Sequence, residues 1–303
     1  MRLLDFDKKY FEVLKDGRFN TLGFCRKECP PFSLGYVQTE KYIGAACNNE
    51  NISCVICPES LAGNEQLMES GKGIAVCRSP QVSFILLHND LSQNSANYVA
   101  KYEATRIGKG CQIHPTAVIA PNGVEIGDNV IIEEYAVIRE GCQIGNNVHI
   151  HAGAYIGIDN ENLCWDDSDQ IVKMRETGKI CLADNVEVGF HAMIGRGTFP
   201  YHTTFVGERT CISGGVLIAH NCCIGRDCYI AGYSQICGSV QVGAHVRINP
   251  MAVIKDSLVI GNNAVITMGS VVVRNVPEGG QVTGNFAVEH SKFLVDYLKK
   301  LRN

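Results

Sequence analysis

An aliphatic residue returns at every sixth position through much of this 303-residue chain. A six-residue period is typical of a parallel β-helix, in which each hexad forms a short strand and a turn. No single coil buries its own apolar side, so the coils must stack on one another. The longest unbroken series runs Val206, Ile212, Ile218, Ile224, Ile230, Ile236, Val242, Ile248, Ile254, Ile260, Ile266, Val272. An earlier series runs Ile107, Ile113, Ile119, then Ile126, Ile132, Ile138, Ile144, Ile150, Ile156, and a short one runs Leu182, Val188, Ile194.

The repeat is interrupted twice, at 158–179 and at 198–204. Insertions in a repeat protein become loops on one face, and that face is often the binding face. Ordered long loops in compact domains are usually functional. We therefore expect the interruptions to contribute to function rather than to be passive surface loops.

The two ends of the chain lack the repeat. Residues 1–102 alternate short apolar segments (ISCVICP, KGIAVCR) with helix-like ones (PESLAGNEQLMES, SPQVSFILLHNDL), which predicts a small α/β domain. Residues 103–278 carry the hexads. Residues 279–303 place apolar side chains at helical spacing, which predicts a C-terminal helix. The predicted fold is therefore mainly β: a parallel β-helix between a small α/β domain and a final helix.

Composition excludes several classes of function. The net charge is -4, so no overall basic surface calls for nucleic acid or an anionic membrane. No apolar stretch is long enough to span a bilayer, and the acidic N-terminal segment does not resemble a signal peptide. We expect a soluble, cytoplasmic protein with no nucleic-acid partner and no membrane span.

Fifteen cysteines raise the question of a disulfide or metal framework. The most metal-like pair is Cys54 and Cys57, with Cys25 and Cys29 as the only plausible partners. Cys54 and Cys57 lie in an apolar segment that reads as a strand, where side chains three apart point to opposite faces. Packed, reduced thiols are the favoured interpretation, because free cysteine behaves as a small hydrophobic residue.

The segment VLIAHNCCIG contains a histidine that the repeat does not require. His220 lies two places after the inward Ile218, at a turn, so its side chain should point outward. One coil contains three hexads, or eighteen residues, if the coil is triangular. Gly238 should then lie over His220 on the next coil, and His202 roughly one coil away on the other side. The alternatives are a surface imidazole bonded to water and a functional group.

The sequence around His220, together with segments near both ends of the chain, resembles a known family. The block from NVEVGFHAMIGRG to SQICGSVQVG, with IAHN intact at 218–221, resembles the UDP-3-O-(3-hydroxyacyl)glucosamine N-acyltransferases of lipid A synthesis. The N-terminal SLGYVQTEKYI resembles that family's LSFLxNxKYL segment. The C-terminal GNFAVEHSKFLVDYLKKL resembles its final GxPxxPHREWL helix. The resemblance implies a left-handed coil with three hexads per turn.

The resemblance also implies roles for individual residues. His220 would be the general base and the Gly238 N–H the oxyanion donor. The substrate-binding candidates are Asn221 for the acyl chain or the carrier arm, Tyr36 and Tyr42 as the aromatic pair around uracil, Lys41 for a phosphate, and His202. No tightly bound cofactor is implied, because the acyl group would arrive as a thioester of acyl carrier protein or coenzyme A. The implied partners are a UDP-linked amino sugar, acyl carrier protein and two further copies of the chain in a homotrimer.

Several positions depart from the family pattern. Thr39 stands where the family has an asparagine, and Ser257 stands where it often has a second histidine. The loop GRGTFPYHTT differs from the family's DRGALDDT. The segment MGSVVVRNVPEGGQVTGNFA also resembles the ending of coenzyme A-dependent acetyltransferases. The alternative function is therefore a coenzyme A-dependent N-acyl- or acetyltransferase that acts on another nucleotide-linked amino sugar.

Two further alternatives come from other classes. A β-helix carbonic anhydrase needs three histidines at one zinc ion. His149 and His151 flank Ile150 and could share one face, but no third histidine is in register, so we predict no metal site. A purely structural role is also open, because a fold does not fix a function.

Overall fold

The computed structural model of the protein describes residues 1–25, 28–99, 101–159, 162–284, 289–292, 294 and 299. The chain divides into two units. The first consists of Met1–Ala104 with Asp159–Lys179 and Arg196–Thr203. The second consists of Thr105–Ile158, Ile180–Gly195 and Thr204–Asn303. Both interruptions of the repeat therefore belong largely to the first unit.

The first unit contains a sheet whose strands are β1 (Glu12–Lys15), β2 (Thr21–Leu22), β3 (Ser33–Tyr36), β4 (Ile52–Pro58) and β5 (Gly73–Cys77). Their order in the sheet is β1-β5-β4-β3-β2. Among these described strands, only β1 runs antiparallel to its neighbour, β5. The helices are α1 (Ile43–Asn48), α2 (Glu65–Glu69) and α3 (Pro80–Asn94), with 3-10 turns at Leu3–Phe6, Glu40–Tyr42 and Glu59–Leu61.

Alternate residues of β4 enter two different apolar clusters. Cys54 and Ile56 pack with Phe84 of α3, whereas Val55 and Cys57 pack with Ile43 of α1. This is the period of two that an extended strand imposes. Cys54 and Cys57 thus point to opposite faces of the sheet, as the sequence predicts. All the cysteines belong to the described residues, and the structure contains them as free thiols.

The second unit is an array of short strands. They are β6 (Arg106–Ile107), β7 (Gln112–Ile113), β8 (Val118–Ile119), β9 (Val124–Ile126), β10 (Ile131–Ile132), β11 (Val137–Ile138), β12 (Cys142–Ile144), β13 (His149–Ile150), β14 (Tyr155–Ile158), then β17 (Lys179–Leu182), β18 (Glu187–Val188), β19 (Met193–Gly195) and β20 (Thr203–Val206). The series continues with β21 (Cys211–Ile212), β22 (Leu217–Ile218), β23 (Cys223–Ile224), β24 (Tyr229–Ile230), β25 (Gln235–Ile236), β26 (Gln241–Val242), β27 (Arg247–Ile248), β28 (Val253–Ile254), β29 (Val259–Ile260), β30 (Val265–Ile266), β31 (Val271–Val272) and β32 (Gln281–Val282). The strands β15 (Leu163–Trp165) and β16 (Ile171–Lys173) lie in the first interruption and form a hairpin.

Consecutive strands of the second unit fall in turn on three parallel sheets, counted over the described residues. Each strand pairs with the strand one coil away, so that Ile218 lies beside Ile236 and Ile224 beside Val242. This is the predicted three-sided, left-handed parallel β-helix. The inward aliphatic residues from Ile126 to Val272 are buried and form one continuous cluster. Each such side chain contributes roughly 2 kcal/mol by its burial.

The turns between strands have a repeated backbone conformation. The residue three places after the inward aliphatic has a positive φ, for example 59° at Asn221, 57° at Asp227 and 62° at Ser239. Asparagine, aspartate and glycine tolerate this left-handed region better than most residues. The turn residues of the hexad are therefore selected by the backbone.

The β-helix extends past the boundary at 278 that the sequence predicts. Gln281–Val282 pairs in parallel with Val265–Ile266, so the turn at 276–280 leads into another strand rather than out of the coil. The predicted C-terminal helix falls mostly on residues 285–288, 293, 295–298 and 300–303, which lie outside the described residues.

The first interruption packs as part of the first unit. Its hairpin contacts α3, and Cys164 and Met174 lie in the same cluster as Phe84. His88 of α3 bonds to the Tyr98 hydroxyl (2.7 Å) and to the Arg175 carbonyl oxygen (2.8 Å). Burial lowers the pKa of His88 to about 4. The described residues of the interruption thus form a structural element of this unit.

Candidate active site at a corner of the β-helix

His220 lies at the turn that follows β22. Ile218 points into the core, and the imidazole is half-buried at the corner two residues later. The ring lies directly against Gly238, where an added Cβ would come within 2.5 Å of His220 Nε2. Only a glycine leaves room for the imidazole at this place. The predicted stacking of His220 on Gly238, one coil apart, is confirmed.

The backbone around Gly238 is fixed on both sides. Ser239 N–H donates to the His220 carbonyl oxygen at 2.8 Å, and the Gly238 carbonyl oxygen accepts from Ser257 N–H at 2.9 Å. Among the residues that the structure describes, none accepts a hydrogen bond from the Gly238 N–H. A buried backbone donor in that state is uncommon in folded proteins.

At another corner of the β-helix, two residues at this position have their N–H capped. The N–H of Asp128 donates to Asn146 Oδ1, and the N–H of Ala244 donates to Asn262 Oδ1, each at 2.9 Å. These residues occupy the same position in the hexad as Gly238, two places after the inward aliphatic. There a side chain one coil along caps the N–H. The described residues provide no such cap for the Gly238 N–H.

The backbone conformation and the hydrogen bonding of the turn explain why an asparagine occupies position 221. Its φ of 59° places it in the left-handed region that asparagine tolerates. Its backbone N–H donates to Thr204 Oγ1 at 2.9 Å, and Thr204 is fully buried. Thr204 thus holds the turn that carries His220, a role that sequence reasoning missed. A polar residue at an inward hexad position was the available signal.

The cysteines beside this corner are poor nucleophiles. Burial raises the pKa of Cys222 to about 12 and also raises that of Cys223. The thiolate is the reactive form of cysteine. The His220 turn therefore offers an imidazole and a backbone donor as its reactive groups, rather than a thiol.

The predicted uridine-binding residues lie in the first unit. Tyr36, at the end of β3, packs against Phe84 with ring centroids 4.9 Å apart. Tyr42 packs against the cluster on the other face of the sheet, and the exposed Lys41 lies over its ring with Nζ 5.8 Å from the centroid. The two tyrosines contribute to different apolar clusters, so the sandwich around uracil stays a prediction.

His202 belongs to the first unit. Its imidazole packs against Phe199 and Tyr201, with centroid separations of 5.4 and 4.5 Å. Its N–H donates to the Phe199 carbonyl oxygen at 2.8 Å, and its own carbonyl oxygen accepts from Lys179 N–H at 2.8 Å. These contacts give His202 a packing role, and its predicted contact with substrate is untested.

A second histidine cluster lies on a different sheet. His149 and His151 share one outward face, as the sequence suggests, with ring centroids 3.9 Å apart. Glu133, one coil earlier, joins them, so the three residues place ligand-type atoms within 4.8 Å of one another. The sequence prediction of no metal site overlooked Glu133, which is in register with His151 through the pairing of β10 with β13.

The described residues include no helix that is long and apolar enough to cross a membrane.

Comparisons with known proteins agree with this fold and with the resemblance. Residues 123–157 match the family described as bacterial transferase hexapeptide (six repeats). The UDP-3-O-acylglucosamine N-acyltransferase of Coxiella burnetii is 28% identical over 224 residues, which are 64% of this chain and 61% of that protein. UDP-3-O-acylglucosamine N-acyltransferase 1 of Nitrobacter winogradskyi is 29% identical over 228 residues, which are 63% of this chain and 59% of that protein. The match thus spans about three fifths of these relatives' length.

A solved structure has the same coil. The Arabidopsis UDP-N-acetylglucosamine acyltransferase superposes with a TM-score of 0.52 at 27% identity, over 60% of this chain and 62% of that one. The repeat, the β-helix and the named relatives point to one group of proteins. The chain is similar to the hexapeptide-repeat acyltransferases, and the relatives named above are UDP-3-O-acylglucosamine N-acyltransferases.

Proposed function

We propose that this protein is a sugar N-acyltransferase of lipid A synthesis. It would transfer a 3-hydroxyacyl group from the thioester of acyl carrier protein to the 2-amino group of a UDP-3-O-acylglucosamine. The observation that carries this proposal is the His220 imidazole held against Gly238, whose N–H has no acceptor among the described residues. The names of the relatives supply the substrate class.

The reaction requires a base and an oxyanion donor, and the corner has one of each. The amine nitrogen attacks the thioester carbonyl carbon while His220 accepts a proton from the amine. The carbonyl oxygen becomes an oxyanion and accepts a hydrogen bond from the Gly238 N–H. The C–S bond then breaks, and the His220 imidazolium protonates the leaving thiolate. The products are an amide and a free thiol.

The remaining roles extend the same proposal. Asn221 would bind the acyl chain or the carrier arm, and Tyr36, Tyr42 and Lys41 would hold the UDP group. Neighbouring copies of the chain in a homotrimer would close the outward-facing corner, since an acyl transfer needs protection from water. Thr39 stands where the family has an asparagine that would read uracil, and Ser257 stands where it often has a second histidine. The identity of the amino sugar, the acyl length and the acyl carrier are therefore the parts of the proposal that a direct test should address first.

The test is donor and acceptor use by the purified full-length protein. We expect 3-hydroxyacyl carrier protein and UDP-3-O-acylglucosamine to give the amide, detected by its mass. Acetyl transfer from acetyl coenzyme A to UDP-linked amino sugars without long-chain transfer would support the alternative function and exclude this one. Transfer from neither donor to any of these sugars would contradict the acyltransferase function altogether.

A further inference from the structure

The hexads place two imidazoles and two carboxylates side by side on one sheet of the β-helix. His149 and His151 lie on either side of the inward Ile150, so both side chains point outward. Glu133 lies one coil before, opposite His151, and Glu187 lies one coil after, opposite His149. This sheet is a different one from the sheet that leads to His220.

The polar atoms of this cluster lie slightly closer to one another than the ligand atoms of a bound zinc ion would. Glu133 Oε1 is 2.8 Å from His149 Nε2 and 3.1 Å from His151 Nδ1. A tetrahedral zinc ion with bonds near 2.0–2.2 Å separates its ligand atoms by about 3.3 Å. A shift of a few tenths of an ångström would therefore admit an ion at the centre of the three atoms.

The second contacts of these residues orient them as metal ligands are usually oriented. Glu133 Oε2 accepts from the Ala152 N–H at 2.9 Å, which turns Oε1 towards the imidazoles. His151 Nε2 lies 2.9 Å from Glu187 Oε1 and donates to it. That bond places the His151 lone pair on Nδ1, the atom that faces Glu133. A carboxylate behind a histidine is the arrangement that fixes the tautomer of metal-binding imidazoles.

The charge of the cluster also calls for a cation. The carboxylate oxygen and the Nδ1 lone pair repel each other at 3.1 Å unless a proton or a metal ion lies between them. The three side chains are 27–33% exposed, so an ion could enter from solvent and keep an open coordination position.

We propose that Glu133, His149 and His151 bind a divalent transition-metal ion of the zinc class, with Glu187 as the positioning residue of His151. Two imidazole nitrogens and one carboxylate oxygen suit Zn²⁺ and Co²⁺ and are poor ligands for Ca²⁺ or Mg²⁺. This site is independent of the acyl-transfer corner, and the proposal does not rest on the proposed function.

The experiment is a Co²⁺ titration of the metal-free full-length protein, monitored by visible absorption. We expect one saturable equivalent per chain, whose spectrum lacks the sulfur-to-cobalt charge-transfer band that the cysteines would produce. Glu133→Gln, which keeps the size of the side chain, His149→Ala and His151→Ala should each weaken binding by at least about 100-fold. Glu187→Gln should weaken it by roughly 10–100-fold, as outer contacts typically do.

His245→Ala is the matched control, because His245 is a half-exposed corner histidine 3.8 Å from a single carboxylate, Asp227. It should leave the titration unchanged. Co²⁺ binding that shows the thiolate band, or that is equally strong in Glu133→Gln and the wild type, would overturn the proposal. The same holds if the wild type takes up no Co²⁺, in which case the cluster is a proton-bridged charge pair.

Discussion

Two outward histidine sites on the same β-helix face different chemical groups on the neighbouring coil. His220 lies against the bare backbone of Gly238, eighteen residues later in the chain. His151 lies opposite Glu133, eighteen residues earlier, and shares that carboxylate with His149. In each case the repeat directs the imidazole outward from the core. The neighbouring coil presents a glycine N–H to one imidazole and a carboxylate to the other, and this difference separates the proposed catalytic base from the proposed cation site.

Among substitutions of the residues that surround His220, Gly238→Ala should have the largest effect on activity. In Gly238→Ala the new Cβ would meet the His220 ring and displace it from the backbone donor. A displacement of about 1 Å at a reacting group typically costs around 100-fold in rate. We expect acyl transfer to fall by about that factor or more, measured as kcat/KM, with little change in the thermal unfolding temperature.

Gly232→Ala is the matched control for this change. Gly232 occupies the same hexad position, but its added Cβ would meet only the Gly214 carbonyl oxygen, at 3.2 Å. It should retain most of the activity. If Gly238→Ala is as active as Gly232→Ala, the stacked arrangement of His220 is not what catalysis needs.

His88 is a buried histidine, and it shows how burial changes the pKa of the same side chain. Its pKa is lowered to about 4 by burial, whereas an unfolded histidine titrates near 6.5. The unfolded chain therefore takes up this proton first as the pH falls. The stability that neutral His88 contributes is complete above about pH 6.5 and is lost between that pH and about 4.

From pH 7 to pH 5 this loss should amount to about 2 kcal/mol in the free energy of unfolding. Urea unfolding of the wild type and of His88→Gln at the two pH values measures it. The variant should lack this part of the pH dependence. Equal pH dependence in the two proteins would show that His88 is not buried as a neutral imidazole.

The smallest effect is expected at Cys222, which borders the His220 corner without sharing its chemistry. Because burial keeps the thiol protonated, Cys222→Ala should change kcat by no more than about twofold. The loss of the buried sulfur should cost about 1 kcal/mol of stability. A loss of activity comparable to that of Gly238→Ala would instead assign the chemistry to the thiol.

The features that follow from the eighteen-residue step were accessible from the sequence. The coil, the outward His220 and its contact with Gly238 all follow from the position of Ile218 in the hexad. Glu133 lies one such step before His151, but the carbonic anhydrase pattern consists of three histidines and does not point to a glutamate. The partnership of Glu187 with the histidines was harder to predict, because the first interruption lengthens that coil to 38 residues, from His149 to Glu187.

The first unit was much less accessible. Its strands are apolar enough to be recognised, as in β4, but the packing between them is not periodic. The bonds of His88 join α3 to a carbonyl group 87 residues away, at Arg175. The contact of Tyr36 with Phe84 is equally remote in sequence. Such contacts depend on tertiary structure, and no local spacing encodes them.

The central claim is that His220 is the base of acyl transfer, and the rate of His220→Ala tests it most directly. The variant would be compared with His245→Ala, which removes a corner histidine elsewhere on the coil, under saturating carrier-protein thioester and UDP-sugar. The account predicts a kcat lower by roughly 10²–10⁴-fold in His220→Ala, with Co²⁺ uptake unchanged, and wild-type kcat in His245→Ala. Equal kcat values in the two variants would contradict it.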